Sequence, residues 1–280
     1  MIKISIIGTG QIGYDLLHKI MKLDFVKIVA FVGRRAPTKK IPDSIKYSNE
    51  SINFFISNPK CCDVVFDCTD AFSAKINSSV FIEQGIQVID LTPSNIGDFY
   101  VPNITEINTK NINMITCGGQ ISIPIIKYFK DKIKNISYVE VVTQINSESA
   151  GIATRINIDN YIETTEMAIY KIANVENNKV ILNINPHTNI MQTTIFIKTN
   201  YNFIAVDDFI DFNKGIERIQ EYAPNYTVSK PEKINENVLM INITMLGSNN
   251  IISISAGNLE IINCAAINAL LKIHEQIQIT

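Results

Sequence analysis

Lys3-Ile4-Ser5-Ile6-Ile7-Gly8-Thr9-Gly10-Gln11-Ile12-Gly13 is the stretch from which the fold is read. A short apolar run breaks into a Gly-x-Gly-x-x-Gly string. From Ile12 onward, Ile12, Leu16, Leu17 and Ile20 recur at helical spacing. Residues 27–33 (KIVAFVG) then read as a second buried strand, so strand, glycine loop, helix and strand follow one another within about thirty residues, as a dinucleotide-binding loop demands. In that reading Gly8 permits the tight turn, Gly10 lets the backbone approach a pyrophosphate, and Gly13 lets helix and strand pack closely. The helix amino terminus, with Thr9, Gln11 and Ile12 around it, holds the negative charge. The alternative is that the glycines only turn a strand into a helix.

Three further runs, 63–69 (DVVFDCT), 86–91 (IQVIDL) and 113–117 (NMITC), are continuously apolar, as parallel strands covered on both faces tend to be. Strand alternating with helix predicts a doubly wound parallel sheet of Rossmann type. The pattern changes after Cys117. A helix is expected over 118–134, with Pro124 in its first turn. Strands are expected at 138–145, 179–185, 193–198, 238–245 and 251–255, several alternating as an antiparallel sheet does. Between them lies a long helix capped by Asp159, with Ile162, Ala168, Ile169 and Ile172 as its apolar stripe. A last helix, about 258–276, returns to the first domain. The predicted division is 1–117 for dinucleotide binding, 118–255 for a second α+β domain, and 256–280 for the returning helix.

Composition bounds the function. The 280 residues are 46% hydrophobic and 19% charged, enough for a sizeable core, and exclude a disordered or fibrous chain. Twenty-five basic and 27 acidic residues leave a net charge of −2, with no basic tract for nucleic acid. Apolar runs such as 28–32 fall far short of the roughly 20 residues of a membrane span. Met1 leads straight into a strand without a leader-like segment, and the expectation is a cytoplasmic protein. Cys61, Cys62, Cys68, Cys117 and Cys264 form an odd, irregular set expected to remain thiols. His18, His187 and His274 are far apart, and no metal site is expected.

Two sites carry chemistry. No acidic residue stands where a ribose selector belongs; the second strand ends in Gly33-Arg34-Arg35. Two guanidinium groups suit a 2′-phosphate, which points to NADP alongside NAD, unless the pair is simply solvated on a loop. Cys117 ends a strand and precedes Gly118-Gly119-Gln120 at the start of a helix. There the exposed N–H groups and macrodipole favour thiolate, and the carboxyl edge of the sheet faces the dinucleotide crevice. A nucleophile attacking an aldehyde or thioester needs such a place, with backbone N–H groups to receive an oxyanion. The alternative is a buried core cysteine.

These residues resemble the acylating acetaldehyde dehydrogenases. The resemblance rests on 8–16 (GTGQIGYDL), 90–93 (DLTP), 116–120 (TCGGQ), 149–151 (SAG), 154–159 (TRINID) and 256–259 (AGNL), in order along nearly the whole chain. It implies an arrangement like glyceraldehyde-3-phosphate dehydrogenase, with the antiparallel-sheet domain serving catalysis and homodimerisation. It also implies a catalytic Cys117 and cofactor contacts at Thr9, Gly10, Gln11 and Ile12, at Ser149, Ala150, Gly151, Ile152, Ala153, Thr154, Arg155, Ile156 and Asn157, and at Asn258. Implied substrates are a short aldehyde and coenzyme A. An implied partner is a 4-hydroxy-2-oxoacid aldolase, although the region between Tyr226 and Ala256 is shorter than in the family.

Two further departures stand out. The family carries Ile-Asp where this chain has Arg34-Arg35, and a carboxylate where this chain has Thr193, which is no base near neutral pH. His187 is one substitute; deprotonation through the incoming thiol and water is another. Arg155 binds a pyrophosphate or pairs within the fold, Asp67 and Asp70 line the cleft or cap a turn, and Glu163 and Glu166 are read as a solvated face. Two other functions remain open: an NADPH-dependent reductase of a longer acyl thioester, and a non-catalytic nucleotide-binding protein.

Overall fold

The computed structural model describes residues 1–37, 39–133, 135–201 and 211–279, with Ala153 and Ile279 described by backbone alone. The first half alternates β1 (Ile2–Ile7), α1 (Gln11–Ile20), β2 (Val26–Val32), β3 (Tyr47–Ser48), α2 (Asn53–Ser57), β4 (Val64–Asp67), α3 (Ala71–Glu83), β5 (Gln87–Asp90), β6 (Asp98–Phe99) and β7 (Asn111–Asn113). The strands form one parallel sheet in the order β3-β2-β1-β4-β5-β7-β6. The order reverses between β1 and β4, opening a crevice at the carboxyl ends of those strands.

The continuous apolar runs have a plain cause. Ile4 and Ile6 face one side with Leu16 and Leu17, whereas Ile7, Ala30 and Val32 face the other with Phe54, Phe55 and Phe81. Both faces are covered, so alternation is lost.

The second half runs α4 (Cys117–Lys132), β8 (Ile136–Asn146), α5 (Ile152–Ile156), α6 (Ile158–Ala173), β9 (Asn178–Asn185), β10 (Met191–Thr199), α7 (Phe212–Gln220), β11 (Tyr226–Val228), β12 (Glu232–Asn235), β13 (Val238–Met245) and α8 (Gly257–Ile279). Its sheet is ordered β11-β13-β10-β8-β9, with β12 beside β13. Residues of β8, β10 and β13 alternate, and one face packs on α4 and α6 through Val139, Val141, Ile195, Ile241, Phe129 and Ile169. Helix α8 returns to the first core, where Ile262, Ala266, Ala269 and Ile273 are buried with Leu16 and Leu17.

Four expectations are corrected. The second sheet is mixed, because β8 and β9 are parallel; the helical crossover between them reverses the chain direction that a hairpin would have given. Helix α4 begins at Cys117, where the Thr116 hydroxyl accepts from Gly119 N at 2.8 Å, so Pro124 stands in the helix interior. Pro124 removes the donor to the Gln120 carbonyl, and the buried Ile121, Ile125, Ile126 and Phe129 hold the helix regardless. Lys134, its expected end, lies outside the described residues. Asp159 sits inside the first turn of α6, while Asn157 takes the cap position; its charge still favours the helix amino end. Residues 251–255 form turns rather than a strand, with Gly247 N donating to Ile254 O at 2.8 Å and Ile252 packing with Ala256, Leu259 and Ile12.

Candidate active site

The glycine loop is built as its spacing requires. Gly8 has φ +109, and a side chain there would strike the Cys68 backbone; one at Gly13 would strike the Gly8 carbonyl. At Gly10 a Cβ would meet nothing within 4 Å. Gly10 occupies the cap position of α1 without any side-chain cap, so the first N–H groups of the helix face open space. Gln11 reaches from this loop to the carbonyl of Glu148 at 3.3 Å, and Thr9 Oγ1 donates to Arg35 O at 2.9 Å.

Arg34 and Arg35 lie on the turn after β2. Arg34, 70% exposed, approaches Asp70 at 3.3 Å, and Asp70 also caps α3 by accepting from Ser73 N at 2.9 Å. A carboxylate the sequence reading assigned to the cleft or to a cap therefore does both, since Asp70 also lines the cleft.

That cleft lies between the two sheets. Its walls are the loops 68–70 and 91–93 after β4 and β5, residues 115–117 at the start of α4, Thr154, Asn157 and Tyr161 from α5 and α6, and Asn258, Leu259 and Ile262 from α8, with Ile12 of α1. The half-buried Cys117 faces it as the first residue of α4. Its sulfur lies 3.7 Å from Tyr161 Oη. Burial pushes the thiol up to about 11, against the lowering influence of Tyr161 and of the backbone N–H groups of Gly118 and Cys117. Desolvation thus opposes the thiolate that the helix terminus favours.

The other expected residues separate into groups. Thr154, Asn157 and Asn258 join the cleft with Ile12 and Cys117. Ser149 and Ala150 are buried at its border, where Asn258 Nδ2 approaches Ser149 O at 3.4 Å. Arg155 pairs within the fold, donating to Ala150 O at 3.1 Å and Ser147 O at 3.0 Å, and so fixes the loop holding Gly151. Ile152 and Ile156 are exposed. The side chain of Ala153 lies outside the described ones. His187 sits exposed beyond β9 and is not among the cleft-lining residues, while Thr193 is buried with its hydroxyl 3.0 Å from that of Thr143.

Sequence reasoning missed Tyr161, and it gave no role to Thr69, Thr92 or Pro93, although 90–93 (DLTP) is among the stretches that carry the resemblance. Thr154, Asn157 and Tyr161 stand three and four residues apart, a helical spacing visible in the sequence, and in the structure they reach the cleft from α5, the cap of α6 and α6.

Asn258 Oδ1 and Thr92 Oγ1 are buried without a partner, and both residues line the cleft. Orphaned polar atoms of this kind cost free energy unless a ligand pairs with them. They fit the carboxamide of a nicotinamide, and the open N–H groups at Gly10 fit its pyrophosphate.

Known proteins agree with this geometry. The model for the "Semialdehyde dehydrogenase, NAD binding domain" matches residues 3–115, and that for "Prokaryotic acetaldehyde dehydrogenase, dimerisation" matches 117–253. Acetaldehyde dehydrogenases of Spirochaeta aurantia and Pectobacterium atrosepticum are each 38% identical, over 95% of this chain and 92% and 93% of theirs. Aspartate semialdehyde dehydrogenase II of Vibrio cholerae shares the fold, with TM-score 0.69 at 12% identity over 99% of this chain and 98% of that one. Matched by both family models in turn and by relatives over 95% of its length, the chain belongs to the acetaldehyde dehydrogenase family.

Proposed function

We propose that the protein is an acylating aldehyde dehydrogenase, converting a short aldehyde such as acetaldehyde, coenzyme A and NAD(P)+ into acyl-CoA and NAD(P)H, reversibly. The observation that carries this reading is the sulfur of Cys117 at the amino end of α4, facing the cleft that the dinucleotide loop opens. Cys117, as thiolate, adds to the aldehyde carbon, and the backbone N–H groups at the start of α4 receive the oxyanion. A bound oxidised dinucleotide would supply the acceptor for the hydride that this carbon gives up. A thioester on Cys117 remains; the coenzyme A thiol loses its proton to water and attacks the thioester carbon, and the Cys117 sulfur leaves as the thiolate that began the cycle.

Asn258 and Thr92 would hold the carboxamide, and the loop from Gly8 to Gly13 the pyrophosphate. Ser149 and Ala150, with Gly151 to Asn157, would border the same ligand. The division 1–117, 118–255 and 256–280 is supported by the separate sheets and by the burial of α8 in the first core.

The test follows nicotinamide absorbance with acetaldehyde and coenzyme A. C117S is expected to lose at least about a thousandfold in turnover; a serine variant that keeps its rate overturns the reading. Arg34 and Arg35 favour use of NADP, and the same assay with either dinucleotide measures it; a strong preference for NAD removes that refinement. Activity only on longer acyl thioesters with NADPH would select the biosynthetic reductase instead.

A homodimer is supported by the dimerisation model over 117–253. The five free cysteines fit a reducing, cytoplasmic compartment. Pairing with a 4-hydroxy-2-oxoacid aldolase would deliver aldehyde to the cleft, and co-purification of the two chains tests it.

A further inference from the structure

We propose that Tyr161 is a catalytic residue that donates a hydrogen bond to the Cys117 sulfur when that sulfur is ionised, and that Thr143 and Thr193 are positioning residues that hold its hydroxyl in line. The inference deepens the proposed function and rests on Cys117 as nucleophile.

Four groups stand in a row, the half-buried Cys117 and three buried hydroxyls. Cys117 Sγ is 3.7 Å from Tyr161 Oη, Tyr161 Oη and Thr143 Oγ1 both lie within 3.3 Å of the point where a Cβ of Gly118 would stand, and Thr143 Oγ1 is 3.0 Å from Thr193 Oγ1. Tyr161 is 5% exposed, and both threonines are fully buried. Four elements contribute: Cys117 from α4, Tyr161 from α6, Thr143 from β8 and Thr193 from β10, the two threonines directly opposite in the antiparallel register. The row exists because residue 118 is glycine. A Cβ there would collide with Tyr161 Oη and come within 3.3 Å of Thr143 Oγ1.

Chemistry gives the row its direction. Burial and the neighbouring Cys117 hold the Tyr161 phenol well above its ordinary range, so it stays protonated and serves as a donor. In the thiol form S–H donates to Tyr161 Oη, and the phenol points its own proton at Thr143. When Cys117 ionises, its proton passes to water in the cleft. The phenol O–H then turns to the sulfur, and the Thr143 hydroxyl turns to donate to Tyr161 Oη. No proton leaves the tyrosine. A hydrogen bond to an ion is about twice as strong as one between neutral groups, and the chain behind it polarises the donor further.

Few other groups compete. Among the described cleft-lining residues, the titratable ones facing Cys117 are Cys68 and Asp70 from the β4–α3 loop and Tyr161 itself. From β8 and β10 come only hydroxyls, and from α8 the uncharged Asn258, Leu259 and Ile262. No positive side chain lines the cleft among those residues, and of its hydroxyl and amide donors the Tyr161 phenol is the one that stands at the sulfur.

The experiment measures alkylation of Cys117 by iodoacetamide, followed by mass of its own peptide, in the full-length wild type and in Y161F and T143V. Y161F is expected to displace the log-rate profile by about one pH unit to the alkaline side, an approximately tenfold slower reaction at about pH 8. T143V is expected to move it the same way by less. In steady state, kcat should fall in Y161F while the affinity for NAD measured by fluorescence stays unchanged. Coincident alkylation profiles for wild type and Y161F overturn the inference and leave the functional reading standing. A wild-type Cys117 that resists alkylation at every pH overturns both. If circular dichroism shows Y161F unfolded, T143V decides alone: a profile identical to wild type overturns the proposal.

Discussion

Gly10 and Gly13 stand three residues apart in one loop and answer to different demands. A methyl group at Gly13 would drive into the Gly8 carbonyl, so helix α1 can lie on its strand only with glycine there. A methyl group at Gly10 would meet nothing in the protein, and would stand in the space proposed for the pyrophosphate. The two substitutions should therefore separate folding from binding. G13A is expected to cost about 1–3 kcal/mol or more in stability by overpacking, read as a lowered Tm. G10A is expected to leave Tm within about a degree of wild type while weakening NAD binding roughly tenfold or more in a fluorescence titration. Equal affinity in wild type and G10A would remove the pyrophosphate from this loop.

At the scale of elements, β4 and β5 end side by side in Asp67 and Asp90, which are register partners and fully buried. Each carboxylate ties down the loop that follows it. Asp67 accepts from Thr69 N at 3.0 Å and from Asn77 at 2.9 Å; Asp90 accepts from Thr92 N at 2.7 Å and from Asn113 at 3.0 Å. Those loops are two walls of the cleft. Burial raises both carboxyls, and the charge of Asp67 helps push Asp90 up to about 7.

A carboxyl raised in the folded state holds its proton where the unfolded chain has already lost it. Stability is therefore fullest below the ordinary carboxylate value near 4, declines as pH rises to about 7, and is level above that. D90N should flatten this decline in Tm between about pH 4 and 7, as scanning calorimetry would show. An unchanged slope in D90N would assign the titration to other groups.

The same elements show what a sequence can disclose. Parallel strands were legible because burial on both faces leaves an unbroken apolar run, as in β1 and β4. The loop was legible because backbone geometry admits only glycine at Gly8 and Gly13. Tyr161 was not, because its meaning depends on a sulfur 44 positions away, brought near by the packing of α4 on α6. Direction of pairing between β8 and β9 was equally hidden, since alternation reports a half-covered face and says nothing of whether the neighbour is parallel. The cost of ionising Cys117 was only half legible, because a helix terminus is visible in a sequence and desolvation is not.

Over the whole molecule, the returning α8 ties the chain into one body. Lys19 of α1 bridges the buried Asp15 at 2.5 Å and Glu260 of α8 at 3.1 Å, so the helix that carries Asn258 is locked to the one that opens the dinucleotide loop. Among the described residues, by contrast, helices pack on only one face of the second sheet. Ile195 and Ile197 point into the helices, while Thr194 and Phe196 point away. Beside Phe196 the register sets Glu140 on one side and Met240 on the other, and beside Thr194 it sets Val142 and Asn242.

A broad face of this kind, mixing aromatic, aliphatic and polar side chains, suits a self-complementary interface related by twofold symmetry. The dimerisation model spans it. The expected species in sedimentation is accordingly twice the 31.4 kDa chain. F196E would set a charge beside Glu140 and in the middle of the proposed contact, where neither partner supplies an opposite charge at that register. Dissociation to the single-chain mass at micromolar concentration is the expected result, with the circular dichroism spectrum retained because Phe196 lies outside the buried core. A dimer that survives F196E would place the interface on another face, and a wild type that sediments at 31.4 kDa would remove the interface altogether.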